Sequence, residues 1–352
     1  MPADPACILE DLAPFYQPGE FPVLLHQYET WRQSRPLQGL HLIDASPVFR
    51  NTTAKYAALL AAGAKLTVAV SSVMPHDPAI LPLLRHYGIP VMDAQEATGP
   101  YDVVMDCAGA LAHIPSRFGY VELTRSGAIH YEHCHQPVWM VDAGKIKQIE
   151  TCLGTGESFF RAMASLGYRD WAGKTLLIAG CGKVGRGIAL CAFRLKAHVI
   201  MADVRAQPLP HPTIRFVSAS DRTTLNRELA QAFCAVTATG KRHAMEGLAA
   251  PGPLQTSRVL LANMGVENEW GPSIPPQRML NNGKTLNFIL PDPTLMPYID
   301  PPLALHNRGA VELHAGRCLP GLFTPPSDVE EEFLTLVRSG GAIPPELLDS
   351  LL

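Results

Sequence analysis

The sequence is poor in charge: Asp, Glu, Lys and Arg make up 17% of its 352 residues, where about 25% is usual. It carries 29 Lys+Arg against 32 Asp+Glu, a net charge of −3, and no run of basic residues. Nucleic-acid binding is therefore not expected, because displacing counterions from phosphates takes clustered positive charge. No stretch approaches the roughly 18 uninterrupted apolar residues of a spanning helix, so no membrane segment is expected either. The opening MPADPACILEDL has acidic residues and no basic stretch ahead of an apolar run, which argues against a secretory leader. Eight cysteines without a C-x-x-C pair make neither a disulfide scaffold nor a zinc or redox motif, so the thiols are read as reduced and the protein as cytoplasmic. Cys191 and Cys234, in apolar surroundings, are read as core.

What the chain has in quantity is apolar residues, at 47%, and proline, at 32 residues. Its length exceeds what one compact core usually organises, so two domains are expected. After a helical lead-in rich in Pro and aromatics, strand and helix alternate: His41 to Asp44, a helix over Thr52 to Ala62, a strand at Lys65 to Val70, a helix at Pro78 to Tyr87, and strands at Ile89 to Met92 and Asp102 to Asp106. Such alternation predicts a parallel sheet covered by helices. A second unit opens near Asp170, with strands at Lys174 to Ala179, His198 to Ala202, Phe233 to Thr237 and Val259 to Asn263, and a helix over Val184 to Leu195. The fold class is α/β in two domains. One is a Rossmann domain with a doubly wound parallel sheet over 151–304; the other is an α/β substrate domain over 1–150, to which 305–352 returns.

Gly180-Cys181-Gly182-Lys183-Val184-Gly185 is a GxGxxG between a predicted strand and a predicted helix. The first glycine allows the tight turn, the second lets the backbone approach a pyrophosphate, and the third permits close helix–strand packing. The N–H groups opening the helix at Lys183 and Val184 then face the phosphates. Asp203 follows the next strand, 18 residues after Gly185, where a carboxylate accepts from ribose hydroxyls and repels a 2′-phosphate. The cofactor expected is NAD rather than NADP, with Arg205 as a counter-signal. Thr237, Thr239, Gly240 and Asn263 end later strands on the ligand side and are read as contacts to the nicotinamide half.

The segment Leu153-Gly154-Thr155-Gly156-Glu157-Ser158, a helix, and then Ala179 to Gly187 resembles the S-adenosylhomocysteine hydrolase family, whose pattern reads YGTGxS, helix, AGYGxVGxG. Looser likeness extends through Gly63-Ala64-Lys65-Leu66, Gly88 to Val91, Asp102 to Asp106, Gly119 to Thr124, Asn263-Met264-Gly265 and Ala315-Gly316-Arg317. The resemblance implies a tightly held NAD+, with Thr155 near it, that oxidises a ribose 3′-hydroxyl and acidifies the neighbouring C–H. Elimination and water addition follow before the hydride returns. Several of the family's catalytic positions differ here. Ala45 to Phe49 stand where the family has a histidine segment, Cys107 replaces the second Asp after Asp106, and Val266 follows Asn263-Met264-Gly265 where the family has histidine. Ile146 falls in the family's lysine column between Lys145 and Lys147, with Glu150-Thr151 in place of Asp-Asn, while Glu122 is kept.

These departures favour an NAD-dependent enzyme that transfers hydride on a different small molecule. Two alternatives stay open: the oxidise-eliminate-reduce cycle on an altered thioether or nucleoside, and a non-catalytic NAD-binding regulator. The acid/base candidates are Lys147 or Lys145 with Glu150 and Glu122, since a lysine in a dry cleft with a lowered pKa can take a hydroxyl proton. His133, in the run His130 to His135, is a further candidate, with metal binding disfavoured for want of a matching partner. Asp44, His76, Asp106, His306 and Asn307 are candidate substrate contacts, and Asp77 before Pro78 suits a helix cap. Finally, Pro272 to Pro302 holds eight prolines and only Arg278, Lys284, Asp292 and Asp300 as charges. So stiff and weakly charged a stretch suits a surface covered by another subunit or by the other domain, and points to a homodimer.

Overall fold

The computed structural model describes residues 4–72, 74–349 and 351. The chain divides into two compact units, one taking the chain up to Ile149 and again from Leu295 onward, the other Glu150–Thr294. The return thus begins ten residues ahead of the expected 305, because a single long helix that starts at Met296 carries it.

The first unit opens with α1 (Pro5–Leu12) and α2 (Pro22–Ser34), then alternates β1 (His41–Asp44), α3 (Thr53–Ala61), β2 (Lys65–Val70), α4 (Ile80–His86), β3 (Val91–Asp93), β4 (Val103–Asp106), β5 (Tyr120–Glu122), β6 (Pro137–Met140) and α5 (Ile146–Gln148). The second unit runs α6 (Thr155–Ser165), β7 (Thr175–Ala179), α7 (Lys183–Arg194), β8 (His198–Asp203), β9 (Arg215–Ser218), α8 (Arg222–Gln231), β10 (Cys234–Thr237), α9 (Pro251–Thr256) and β11 (Leu260–Asn263). The chain then re-enters the first unit as α10 (Met296–His314), β12 (Gly321–Phe323), α11 (Ser327–Gly340) and α12 (Pro345–Asp349).

Both sheets are wholly parallel. The first has the order β12-β6-β5-β4-β1-β2-β3 and the second β11-β10-β7-β8-β9, so each runs 3-2-1-4-5 outward from its own first strand. Strand order reverses between β1 and β4 in one and between β7 and β10 in the other, and ligands of such sheets lie beyond the carboxyl ends at that reversal. Central strands such as Val103–Asp106 and Cys234–Thr237 are buried along their whole length, as sheets covered on both faces require. The expected Rossmann strands stand. The strands β5, β6, β9 and β12, of three or four residues each, are too short to give an apolar run and are not marked by the sequence pattern.

Two junctions fix the first unit. Asp300 on α10 accepts from the Val23 and Leu24 N–H groups at 3.1 and 2.8 Å, a carboxylate at the N-terminus of α2 where the helix dipole favours it. Glu330 on α11 accepts from Ile146 N–H at 3.0 Å and so caps α5. The proline-rich stretch folds as 3₁₀ turns at Pro276–Arg278, Leu280–Gly283 and Leu286–Ile289 before entering α10. Its Ile274, Met279, Leu286 and Leu290 are buried in the second unit's own core. No helix among the described residues is long and apolar enough to cross a membrane.

Candidate functional site

In the second unit the glycine loop follows β7 at the strand-order reversal. Gly180 has φ +114°, and a Cβ on it would collide with the Ala238 carbonyl; one on Gly185 would collide with the Gly180 carbonyl. A Cβ on Gly182 would meet nothing within 4 Å, so the backbone there borders open space. Gly182 is also the N-cap of α7 and has no side chain with which to cap it. The N–H groups that open α7 at Lys183, Val184 and Gly185 are thus arranged as an anion site at a helix N-terminus. Asp203 closes β8 beside this loop: its carboxylate accepts from Cys181 N–H at 2.8 Å and from Arg205 N–H at 3.4 Å. An ionised carboxylate has about four lone-pair positions, so capacity remains for further donors.

The GTG segment has a packing reason. A Cβ on Gly156 would collide with the Gly187 carbonyl, and one on Gly187 with the Cys152 carbonyl, so α6 and α7 cross with their backbones in contact. This crossing seats α7, and with it the glycine loop. The Thr155 hydroxyl donates to the Glu150 carbonyl at 3.1 Å.

The residues read as nicotinamide contacts are engaged within the unit. Thr237 donates to Asn263 Oδ1 at 3.0 Å, and Asn263 Nδ2 reaches the carbonyls of Gly265, Glu267 and Gly283, so both buried side chains pin the fold rather than face outward. Thr239 and Gly240 are exposed, but their N–H groups donate at 2.8 and 2.7 Å to Glu269, a buried carboxylate that the sequence pattern does not single out.

In the first unit the register aligns three acids at the carboxyl edge: Asp44 is level with Met105, and Asp106 with Glu122. Glu122 accepts from the N–H groups of Ala108, Gly109 and Thr124 and from the Thr124 hydroxyl, at 2.7–3.2 Å. Burial, then the neighbouring Asp106, pushes its carboxyl up to about 7. Asp106 accepts from Cys107 and Leu111 N–H and from the Tyr131 hydroxyl, and burial likewise raises it.

Around Asp44 lies a polar network that the sequence reading missed. Lys55, on the alanine-rich α3, is 0% exposed and holds its ammonium against Asp44, and it donates to Ser46 Oγ at 2.8 Å. Burial pulls Lys55 well below its ordinary range, and the neighbouring Cys107 opposes that pull. His306 Nε2 lies 2.9 Å from the Val121 carbonyl and its Nδ1 3.9 Å from Asp44 Oδ2; Asn307 Nδ2 donates to the Lys55 carbonyl at 3.1 Å. An eleven-residue spacing across a β–α turn was the one available signal for Asp44 and Lys55.

The remaining candidates separate. Lys147 is buried in the first unit and its charge reaches His306, whose own protonation burial disfavours. Lys145 is about half exposed and pairs with Glu331 at 3.4 Å. Glu150 is half-buried and opens the second unit. His133 is exposed in the turn after Tyr131, and His76 is half-buried. Asp77 accepts from Ala79 N–H at 2.9 Å, capping the turn that leads into α4. Among the described residues no three His, Cys, Asp or Glu side chains converge as a metal site requires.

No family model matches the chain. An adenosylhomocysteinase of Gloeobacter violaceus is 25% identical over 260 residues, which are 64% of this chain and 59% of that protein. An S-inosyl-L-homocysteine hydrolase of Methanopyrus kandleri is 25% identical over 256 residues, with the same coverage of 64% and 59%. The chain therefore spans less than two thirds of the length of these relatives. The resemblance carried by the GTGES segment and the glycine loop is borne out. Among solved structures, a dipicolinate synthase component from Bacillus halodurans is 13% identical with a TM-score of 0.48, covering 80% of this chain and 99% of that one. That likeness carries no argument about ligands.

Proposed function

We propose that this chain, a divergent relative of adenosylhomocysteinases, is an NAD-dependent enzyme that moves a hydride to or from a small molecule other than S-adenosylhomocysteine. The observation that carries the reading is the second unit's glycine loop: open space at Gly182, the start of α7 behind it, and the Asp203 carboxylate beside it, all at the strand-order reversal. These residues fit a dinucleotide. The backbone of Gly180, Gly182, Lys183, Val184 and Gly185 would hold the pyrophosphate and Asp203 the ribose hydroxyls. When bound, NAD+ would supply the hydride acceptor.

The first unit would hold the substrate. Lys147 is the acid/base group in this reading, buried near His306, with Asp106 and Glu122 along the same carboxyl edge. A substrate class other than the relatives' is supported by Ser46 and Cys107, which stand at that edge where the family resemblance has other residues. Calorimetric titration with NAD+ and NADP+ tests the cofactor: NAD+ is expected to bind more tightly, and Asp203→Ala to abolish the preference. A second arm follows absorbance at 340 nm with NAD+ and candidate alcohols; steady NADH accumulation is expected. Turnover without net NADH would instead favour the relatives' closed cycle, and the absence of NAD+ binding would overturn the reading.

A further inference from the structure

Glu269 lies behind the turn at the carboxyl end of β10 and is 1% exposed. Its two carboxylate oxygens each take one backbone donor of the turn, Thr239 N–H at 2.8 Å and Gly240 N–H at 2.7 Å. Its own main chain is fixed, since Met245 N–H donates to the Glu269 carbonyl at 2.9 Å and His243 N–H to the Asn268 carbonyl at 3.0 Å. Space for the carboxylate exists only because residue 265 is glycine: a Cβ there would collide with Glu269 Oε1. The turn that Glu269 grips also touches the glycine loop, because Gly180 packs directly on the Ala238 carbonyl. Burial raises the Glu269 carboxyl above its ordinary value, and the main-chain donors on both oxygens oppose that rise and favour its charged form at the strand-order reversal.

We infer that Glu269 is a positioning residue for the nicotinamide half of the cofactor. It holds the Ala238–Gly240 turn in the shape against which that half rests and places a negative charge that favours the oxidised ring. This rests on the NAD reading above and deepens it. The physical reason for the redox bias is that the nicotinamide ring carries a positive charge only when oxidised. A nearby anion in a water-poor setting therefore stabilises NAD+ relative to NADH. ADP-ribose, which lacks the ring, should not register the charge.

The test is calorimetric titration of the full chain and of Glu269→Gln with ADP-ribose, NAD+ and NADH. For Glu269→Gln the expected result is ADP-ribose affinity within about twofold of the parent, NAD+ weakened by about tenfold, and NADH weakened less. Equal losses for all three ligands, or no loss for any, would overturn the proposal while leaving NAD binding in place. If the parent chain binds neither ADP-ribose nor NAD+, the cofactor reading falls and this inference with it. Gly265→Ala is the second variant, in case Glu269→Gln fails to fold. It displaces the carboxylate without removing its charge, so it should weaken NAD+ and NADH alike and spare ADP-ribose; a loss confined to ADP-ribose would again refute the assignment.

Discussion

Replacing Lys55 by Met is the sharpest probe of the first unit, because it deletes one charge from a pair in which both side chains are 0% exposed. Methionine retains most of the aliphatic packing of α3, so the volume change itself should cost less than about 1.5 kcal/mol. Asp44 keeps Ser46 N–H at 2.9 Å, Ser46 Oγ at 3.3 Å and Tyr56 OH at 3.4 Å as donors. Breaking one side of a buried pair costs about 3–5 kcal/mol, and a Coulomb energy of about 4 kcal/mol for charges 4 Å apart at an effective dielectric of 20 agrees. That is a large part of the roughly 5–15 kcal/mol available to a domain. Urea unfolding followed by circular dichroism should show the loss. Hydrogen exchange should place it in β1 and α3 while leaving β7 to β11 unchanged. Asp44→Asn combined with Lys55→Met should recover at least about 2 kcal/mol relative to Lys55→Met alone. A single variant within about 1 kcal/mol of the parent, or a double variant no better than the single, would refute the reasoning.

Burial pushes Asp300 up to about 7 from an ordinary 3.8, so the folded chain retains a proton that the unfolded chain loses between those values. Its contribution is full below about pH 4 and lost as pH rises through 7; the gap in unfolding free energy between parent and Asp300→Asn should therefore fall by on the order of 4 kcal/mol from pH 4 to pH 8. A pH-independent gap would contradict the burial argument. Gly187→Ala forces a methyl against the Cys152 carbonyl and should destabilise the second unit by about 1–3 kcal/mol, read as a lower melting temperature together with weaker NAD+ binding. Lys145→Ala should leave stability within about 0.5 kcal/mol and turnover unchanged, because its ion pair is about half exposed. Lys147→Ala should abolish turnover while NAD+ affinity is retained; equal turnover in both variants would remove Lys147 from the chemistry.

The second unit was legible because its signals are local. A glycine needed for φ +114° at Gly180, a helix opened by Gly182 and an acid closing the next strand all sit within one β–α–β stretch. Asp44 with Lys55 and Glu269 with Thr239 escaped for the opposite reason: each pair is joined by chain reversal, and nothing in an alanine-rich helix marks one lysine as buried. The hydrogen bonds that engage Asn263 and Thr237 within the unit were hidden for the same reason. Their position at strand ends is visible in sequence, but the carbonyls of Gly265, Glu267 and Gly283 that occupy Asn263 are supplied by a loop whose path is not. The proline-rich stretch is ambiguous in composition, since prolines and few charges describe a surface under a partner and a segment folded onto its own core equally well.

The two sheets share the order 3-2-1-4-5 around their reversal, the first adding two further strands, and the residues placed at the two reversals differ. At the reversal in the second sheet the chain places glycines and leaves space beside Gly182. At the reversal in the first it places Asp44, Lys55 and Ser46, which satisfy one another, and Asp106, which main-chain donors and Tyr131 satisfy. A site lined by glycine backbone recognises a ligand common to many enzymes, because backbone donors read phosphate without regard to what is attached. A site lined by mutually bonded acids, a lysine and a histidine is specific, because a ligand must replace bonds that already exist and only a matching pattern of donors and acceptors does so without loss.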